Sequence, residues 1–161
     1  IIEGLALAAF ERQRAAAMDP LLKDIFYLVI RDEARHVTFG VNYLEEFIKT
    51  LSEEEREERA EFAYEACVVM RNRFGSTNVM KHYGWNADEA AEVINQSEGS
   101  SLFNSLLFTK IMPNLKRIGL LTDKVSGKYE ELGILEFKDL ENSGDTSWEE
   151  LSKPLDYGEI A

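Results

Sequence analysis

The pair Asp19-Pro20 divides the first fifty residues into two helical runs. Aspartate is favoured as the residue that caps a helix N-terminus, and proline is favoured at the first helical position. We therefore predict that one helix ends at about Ala17 and that the next runs from Pro20 to about Thr50. Two helices with so short a connection can pack as an antiparallel hairpin.

The second of these helices carries Glu33 and His36, three residues apart. Their side chains project about 60° apart from one face, so both can bind the same metal ion. That face also carries a largely apolar stripe made of Leu22, Phe26, Val29, Ile30, Val37, Gly40, Leu44 and Phe47. A carboxylate pointing into such a stripe must bind a cation, pair or take up a proton, because a lone buried charge is too costly. The alternative is an ordinary Glu–His pair on the helix surface.

The first helix contributes a third candidate ligand, Glu3, in an otherwise uncharged run. Glu3 lies 15 residues before Met18. Glu33 lies 13 residues and His36 16 residues after Pro20. These separations correspond to about 20–24 Å along each helix. If the helices form an antiparallel hairpin, we expect the three groups at the same height.

A glutamate on one helix, followed 30 residues later by Glu-x-x-His on the next, resembles the second half of the ferritin-like di-iron carboxylate superfamily. The run 31–36, Arg-Asp-Glu-Ala-Arg-His, is most similar to the branch that contains ribonucleotide reductase small subunits and oxygenases. The resemblance covers residues 1–51. It implies that Glu3, Glu33 and His36 are metal ligands.

The same resemblance assigns roles to three neighbours of these ligands. It implies that Asp32 is the carboxylate that orients a histidine of the other half of the centre. Leu7 and Val29 are implied to line an apolar pocket beside the metal ions. The implied cofactor is a pair of iron ions, with a manganese–iron pair as an alternative.

A complete centre of this kind needs another glutamate and another Glu-x-x-His, which this sequence does not contain. Its second histidine, His82, has Val79 three residues earlier and lies in the loop-like stretch 81–85. We expect His82 to be partly exposed and not a ligand. The sequence therefore suggests the C-terminal part of a longer protein whose first helix pair precedes Ile1. A homodimer that completes the site between two chains is the alternative.

The composition limits the function classes. A net charge of −12 argues against binding to nucleic acid, which requires clustered lysine and arginine. No apolar run approaches the length of a membrane-spanning helix, which is about 18 residues. The single Cys67 excludes an internal disulfide and is typical of a reducing, cytoplasmic compartment. Its apolar neighbours predict a buried, unreactive thiol.

The rest of the chain is predicted to be helical. Capping residues predict helices from Ser52 to about Gly75, from Asn86 to about Asn95 and from Ser100 or Ser101 onward. Pro113 is expected to kink or end this last one, and a final helix spans 123–132. The predicted fold class is all-α: a ferritin-like helical bundle with the second helix pair and additional C-terminal helices. Residues 1–135 form the bundle portion.

Residues 136–161 form an acidic C-terminal tail with a net charge of −6. One interpretation is a segment that lies loosely over the bundle. The other is a docking peptide for a protein partner, with Trp148 and Tyr157 as its anchors. Small subunits of ribonucleotide reductase dock in this way, so the resemblance adds weight to the second interpretation, although the loosely packed segment stays the first expectation.

The resemblance implies an oxidoreductase that activates dioxygen at two carboxylate-bridged metal ions and acts on an unidentified small molecule. Tyr27, Tyr43 and Tyr64 are candidates for a tyrosyl radical. One alternative is a ferritin-like protein that handles iron without an organic substrate. Another is a helical structural or interaction module without metal.

Overall fold

A computed structural model gives the fold of residues 2–72, 77–145 and 149. These residues form α-helices and two short 3₁₀ turns, and no strand occurs among them. The helices are α1 (Ile2–Ala16), α2 (Pro20–Ile48), α3 (Glu53–Arg71), α4 (Thr77–His82), α5 (Ala87–Gln96), α6 (Glu98–Arg117) and α7 (Asp123–Glu131), and the turns are Leu135–Asp139 and Ser143–Asp145. The predicted all-α class is confirmed.

The connection between α1 and α2 forms as the sequence predicts. The backbone N–H of Leu22 donates to the Asp19 carboxylate at 3.2 Å, and Pro20 is the first residue of α2. Phe10, before the turn, packs on Phe26, after it, with ring centroids 6.0 Å apart. Because residues on either side of the turn face each other in this way, α1 and α2 form an antiparallel hairpin.

The central element of the fold is α6. Its buried side chains are Ser100, Phe103, Leu107, Phe108, Ile111, Met112, Pro113 and Leu115. The helix contacts α1, α2, α5 and the 3₁₀ turn Leu135–Asp139. It begins at Glu98, capped by Ser97, so the predicted start at Ser100 or Ser101 is wrong. It continues to Arg117, so Pro113 does not end it. Burial on both sides of the proline keeps the helix continuous although one backbone hydrogen bond is lost.

Helix α3 is attached to the bundle through α7. Its N-terminus has the predicted capping box, in which Ser52 and Glu55 bond each other reciprocally. Along α3, the ring of Tyr64 meets Tyr129 of α7 edge to face, with centroids 5.4 Å apart. Nearby, Lys128 donates to the carboxylate of Glu61 at 2.7 Å. These contacts fix one side of α3.

The segment 135–145 packs on α2 and α6. The Arg117 guanidinium donates to Glu45 at 3.0 Å, to Asn142 at 2.7 Å and to Asp145 at 2.6 Å. The Thr38 hydroxyl donates to a backbone carbonyl of the same segment at 2.9 Å. The first ten residues of the predicted tail are thus bound to the bundle. Trp148 and Tyr157 lie outside the described residues, and their docking role stays a prediction.

Two further expectations concern local structure. His82 is exposed, as predicted, but it ends the short helix α4, so its assignment to a loop is wrong. Helix α3 ends at Arg71, before the predicted limit at Gly75, which lies outside the described residues. None of the helices in the described ranges is both long and apolar enough to cross a membrane.

Two phenylalanines differ in burial, and we expect their replacement to affect stability differently. Phe108 is 0% exposed, whereas Phe26 is only half-buried. We expect Phe108→Ala to lower the free energy of unfolding by about 3–5 kcal/mol, because it leaves a cavity in the core. Phe26→Ala should cost only about 1–2 kcal/mol, since its site is open to water. Urea denaturation followed by circular dichroism measures both, and equal losses would contradict the burial pattern.

A second expectation concerns Cys67, which is 0% exposed. Burial raises the pKa of its thiol to about 11. At pH 8 we expect iodoacetamide to modify the native protein far more slowly than the urea-unfolded protein, whose thiol is accessible and has an ordinary pKa of about 8.5. The neutral thiol stabilises the fold fully below that ordinary pKa, and this contribution is lost as the pH rises toward 11. Equal modification rates would show that the thiol is not protected.

Candidate metal centre

Glu33 and His36 meet on the surface of α2. The imidazole Nδ1 of His36 lies 3.4 Å from a carboxylate oxygen of Glu33. The Glu33 side chain is 26% exposed and the His36 side chain 64% exposed. Two donors that each lie about 2.1 Å from one ion have this separation when the angle at the ion is about 110°. The pair therefore fits two adjacent ligand positions of a single metal ion.

Glu3 faces a later turn of α2. One of its carboxylate oxygens lies 4.0 Å from the point that a Cβ on Gly40 would occupy. Gly40 is four residues after His36, which corresponds to about 6 Å along the helix axis. Within the described residues, no three His, Cys, Asp or Glu side chains form a group that could hold a metal ion. The structure thus brings Glu33 and His36 together and places the Glu3 carboxylate one turn beyond them.

The direction of the side chains explains this offset. The Cα–Cβ bonds of a helix tilt toward its N-terminus. In an antiparallel hairpin, Glu3 on α1 therefore leans away from the turn at Asp19, whereas Glu33 and His36 on α2 lean toward it. Equal distances from the turn do not bring the three groups together. Their assignment as metal ligands stays a prediction, and the described geometry fits it for two of the three.

The neighbours implied by the resemblance have clear positions. The Asp32 carboxylate accepts a hydrogen bond from Arg35 at 2.6 Å and is exposed. Leu7 is buried in the core, and Val29 is half-buried. Before Asp32 could orient a histidine, its hydrogen bond with Arg35 would have to break. The orienting role of Asp32 and the pocket role of Leu7 and Val29 therefore remain predictions.

The apolar stripe of α2 is less buried than the sequence predicts. Val37 is buried, but Leu22, Leu44 and Phe47 are 42%, 39% and 44% exposed. Beside them, the rings of Phe39, Tyr43 and Phe47 stack along the helix with centroids 6.2 and 6.3 Å apart. Glu33 and His36 therefore lie next to an exposed apolar face of α2, at the boundary with the core.

A cavity of about 370 Å³ begins beside Glu3 and Gly40 and extends between α2, α3 and α6. Its polar lining includes Arg59 and Lys110. The sequence pattern did not indicate these residues, because they come from helices far apart in the chain. Arg59 follows directly on the acidic run 53–58, a pattern typical of a solvated helix face.

The three tyrosines named as radical candidates occupy different environments. Tyr27 and Tyr43 are 39% and 60% exposed. Tyr64 is half-buried against Tyr129, a buried tyrosine that the sequence pattern did not single out. Burial raises the pKa of the Tyr129 hydroxyl, and the adjacent Cys67 adds to the shift.

The chain was compared with protein-family models, with curated proteins and with solved structures, and none of them matches it. The geometry on α1 and α2 is therefore the basis for a functional proposal.

Proposed function

We propose that this chain supplies one Glu-x-x-His half of a two-metal carboxylate centre in a ferritin-like oxidoreductase that activates dioxygen. The observation that carries the proposal is the contact of 3.4 Å between His36 Nδ1 and the Glu33 carboxylate. The metal ions would be two irons or a manganese–iron pair, because carboxylate and imidazole donors suit both metals. When bound, such ions supply the electrons that reduce dioxygen.

The hairpin supports this proposal by placing a further carboxylate on the facing helix. Glu3 is exposed, and its carboxylate lies against Gly40, where α2 presents no side chain. The proposal requires that rotation about the torsion angles of the Glu3 side chain bring its carboxylate from Gly40 toward His36. In the proposed centre, Glu3, Glu33 and His36 would hold the ions.

The exposed apolar face of α2 gives the proposal a second support. Residues that bind redox-active metals need a site from which water is excluded. Phe39 and Tyr43 are 64% and 60% exposed and lie on the same helix as the ligands. In the proposed bundle, the helices that carry the other half of the centre pack on this face. That packing would also bury His36.

One observation favours a second candidate, a helical interaction module without metal. Among the described residues no group of three metal-binding side chains occurs. The stacked rings of Phe39, Tyr43 and Phe47 would then serve as an interface. Metal binding distinguishes the two candidates.

The proposal predicts that metal binding depends on Glu33. We expect Glu33→Gln and His36→Ala each to weaken Fe(II) binding by at least about 10-fold, because each removes a donor to the ion. Anaerobic titration with Fe(II), and separately with Mn(II), followed by metal analysis, measures this. The free energy of unfolding of metal-free Glu33→Gln should lie within about 0.5 kcal/mol of that of the unmodified protein, because a partly exposed ion pair contributes little to stability.

The matched control is Glu46→Gln. Glu46 is on the same helix and pairs with Lys49 three residues later at 2.7 Å, so it repeats the Glu33–His36 arrangement without the imidazole. This variant should bind metal like the unmodified chain. Unchanged metal binding in Glu33→Gln would refute the proposal and favour the interaction module.

A further inference from the structure

Glu33 and His36 do not line the cavity between α2, α3 and α6, although Glu3 does. Helix α3 is held by α7, and it makes few close backbone contacts with α2 or α6. A space of about 370 Å³ remains between them. We infer that this cavity binds an apolar carboxylic acid, with its hydrocarbon part between the three helices and its carboxylate at Arg59.

The walls of the cavity select a hydrocarbon. Among the lining residues, Val41 and Ile48 of α2, Ala63 of α3 and Ile111 and Leu115 of α6 are each at most 6% exposed. Volumes of about 300–1,000 Å³ are typical of ligand pockets. Apolar walls offer water too few hydrogen-bonding partners to hold it well. A hydrocarbon chain or ring therefore gains more from this space than water does.

The charges at the rim determine the position of the acid group. Arg59 is 52% exposed and forms a loose ion pair with the adjacent Glu58, whose carboxylate oxygen lies 3.6 Å away. It also interacts electrostatically with Glu55, one turn earlier, whose carboxylate accepts a hydrogen bond from the Ser52 hydroxyl at 2.8 Å. Because a guanidinium has five N–H donors, Arg59 can still form charge-assisted hydrogen bonds with an incoming carboxylate.

The other charged residues of the lining disfavour the acid group. Lys110 is paired with Glu11 at 2.9 Å, so its charge is already compensated. The Glu3 carboxylate also lines the cavity and repels another anion. The carboxylate of the acid is therefore placed at Arg59, and its hydrocarbon part lies along the apolar walls. This placement does not depend on the proposed function.

The opening of the cavity is apolar. Leu44, Phe47 and Phe62 line it and are 39%, 44% and 68% exposed. Large exposed apolar side chains grouped at one place are typical of a binding site. An apolar ligand can enter between them without disturbing the buried core.

Isothermal titration of the metal-free chain with octanoate, octanol and octylammonium tests the inference, and phenylpropanoate distinguishes an aromatic from a linear acid. We expect octanoate to bind about 10-fold more tightly than octanol, because the guanidinium adds charge-assisted hydrogen bonds. Octylammonium should bind most weakly. Absence of binding by both acids, or equal binding of octanoate and octylammonium, would overturn the inference.

Two variants locate the ligand. Arg59→Met keeps the aliphatic stem and removes the charge, so octanoate should bind about as weakly as octanol, whose affinity stays unchanged. Arg71→Met, at the exposed end of the same helix, is the matched control and should change neither affinity. Octanoate binding that is unaffected by Arg59→Met would refute the assigned position of the carboxylate.

The second variant, Leu44→Trp, fills the opening and should weaken the binding of both octanoate and octanol by at least about 10-fold. Leu102→Trp replaces an exposed leucine of α6 that does not line the cavity, and it should leave both affinities unchanged. Glu33→Gln should also bind octanoate normally, so a failure of the metal proposal does not affect this test. Equal octanoate affinity in Leu44→Trp and Leu102→Trp would place the ligand elsewhere.

Discussion

The close approach of α1 to α6 is the constraint on which the rest of this structure depends. A Cβ on Gly4 would lie 3.3 Å from the Ile111 side chain, and Ala8, one turn later, is 0% exposed. Such small residues let the two helix backbones come near each other. Since α2 is attached to α1 by a three-residue connection, the position of α1 on α6 also sets that of α2. Glu3, beside Gly4, is consequently held at the rim between the core and α2.

Helix α3 is positioned by a different set of contacts, and this difference accounts for the cavity. Tyr64 packs against Tyr129, and Glu61 pairs with Lys128. The position of α3 is therefore set by α7 and not by the hairpin. The hairpin and α3 then share the core without interlocking closely. A molecule that fills the space between them would link the two halves of the bundle.

The sequence predicts the local features of this fold better than the contacts between distant residues. The Asp19 cap and the Ser52–Glu55 capping box depend on atoms within a few residues, and both are confirmed. Of the two expectations for Pro113, the end of the helix is wrong: the helix continues to Arg117, because burial among distant side chains outweighs the lost hydrogen bond. The hydrogen bonds from Arg117 to the segment 142–145 join residues more than twenty positions apart, which no local pattern indicates.

The candidate metal centre likewise has a local part, which the sequence predicts, and a part that depends on contacts between distant residues. The Glu33–His36 contact follows from a three-residue spacing within one helix, and the structure contains it at 3.4 Å. The position of Glu3 depends on how two helices lie against each other and on the opposite lean of their side chains. Counting residues from the turn gives the height of each Cα atom, but a carboxylate is carried about a turn farther by its own side chain. For this reason a metal centre that spans two antiparallel helices cannot be located from the heights of the Cα atoms alone, and in the proposed centre the Glu3 carboxylate would have to reach the other two groups by a side-chain movement.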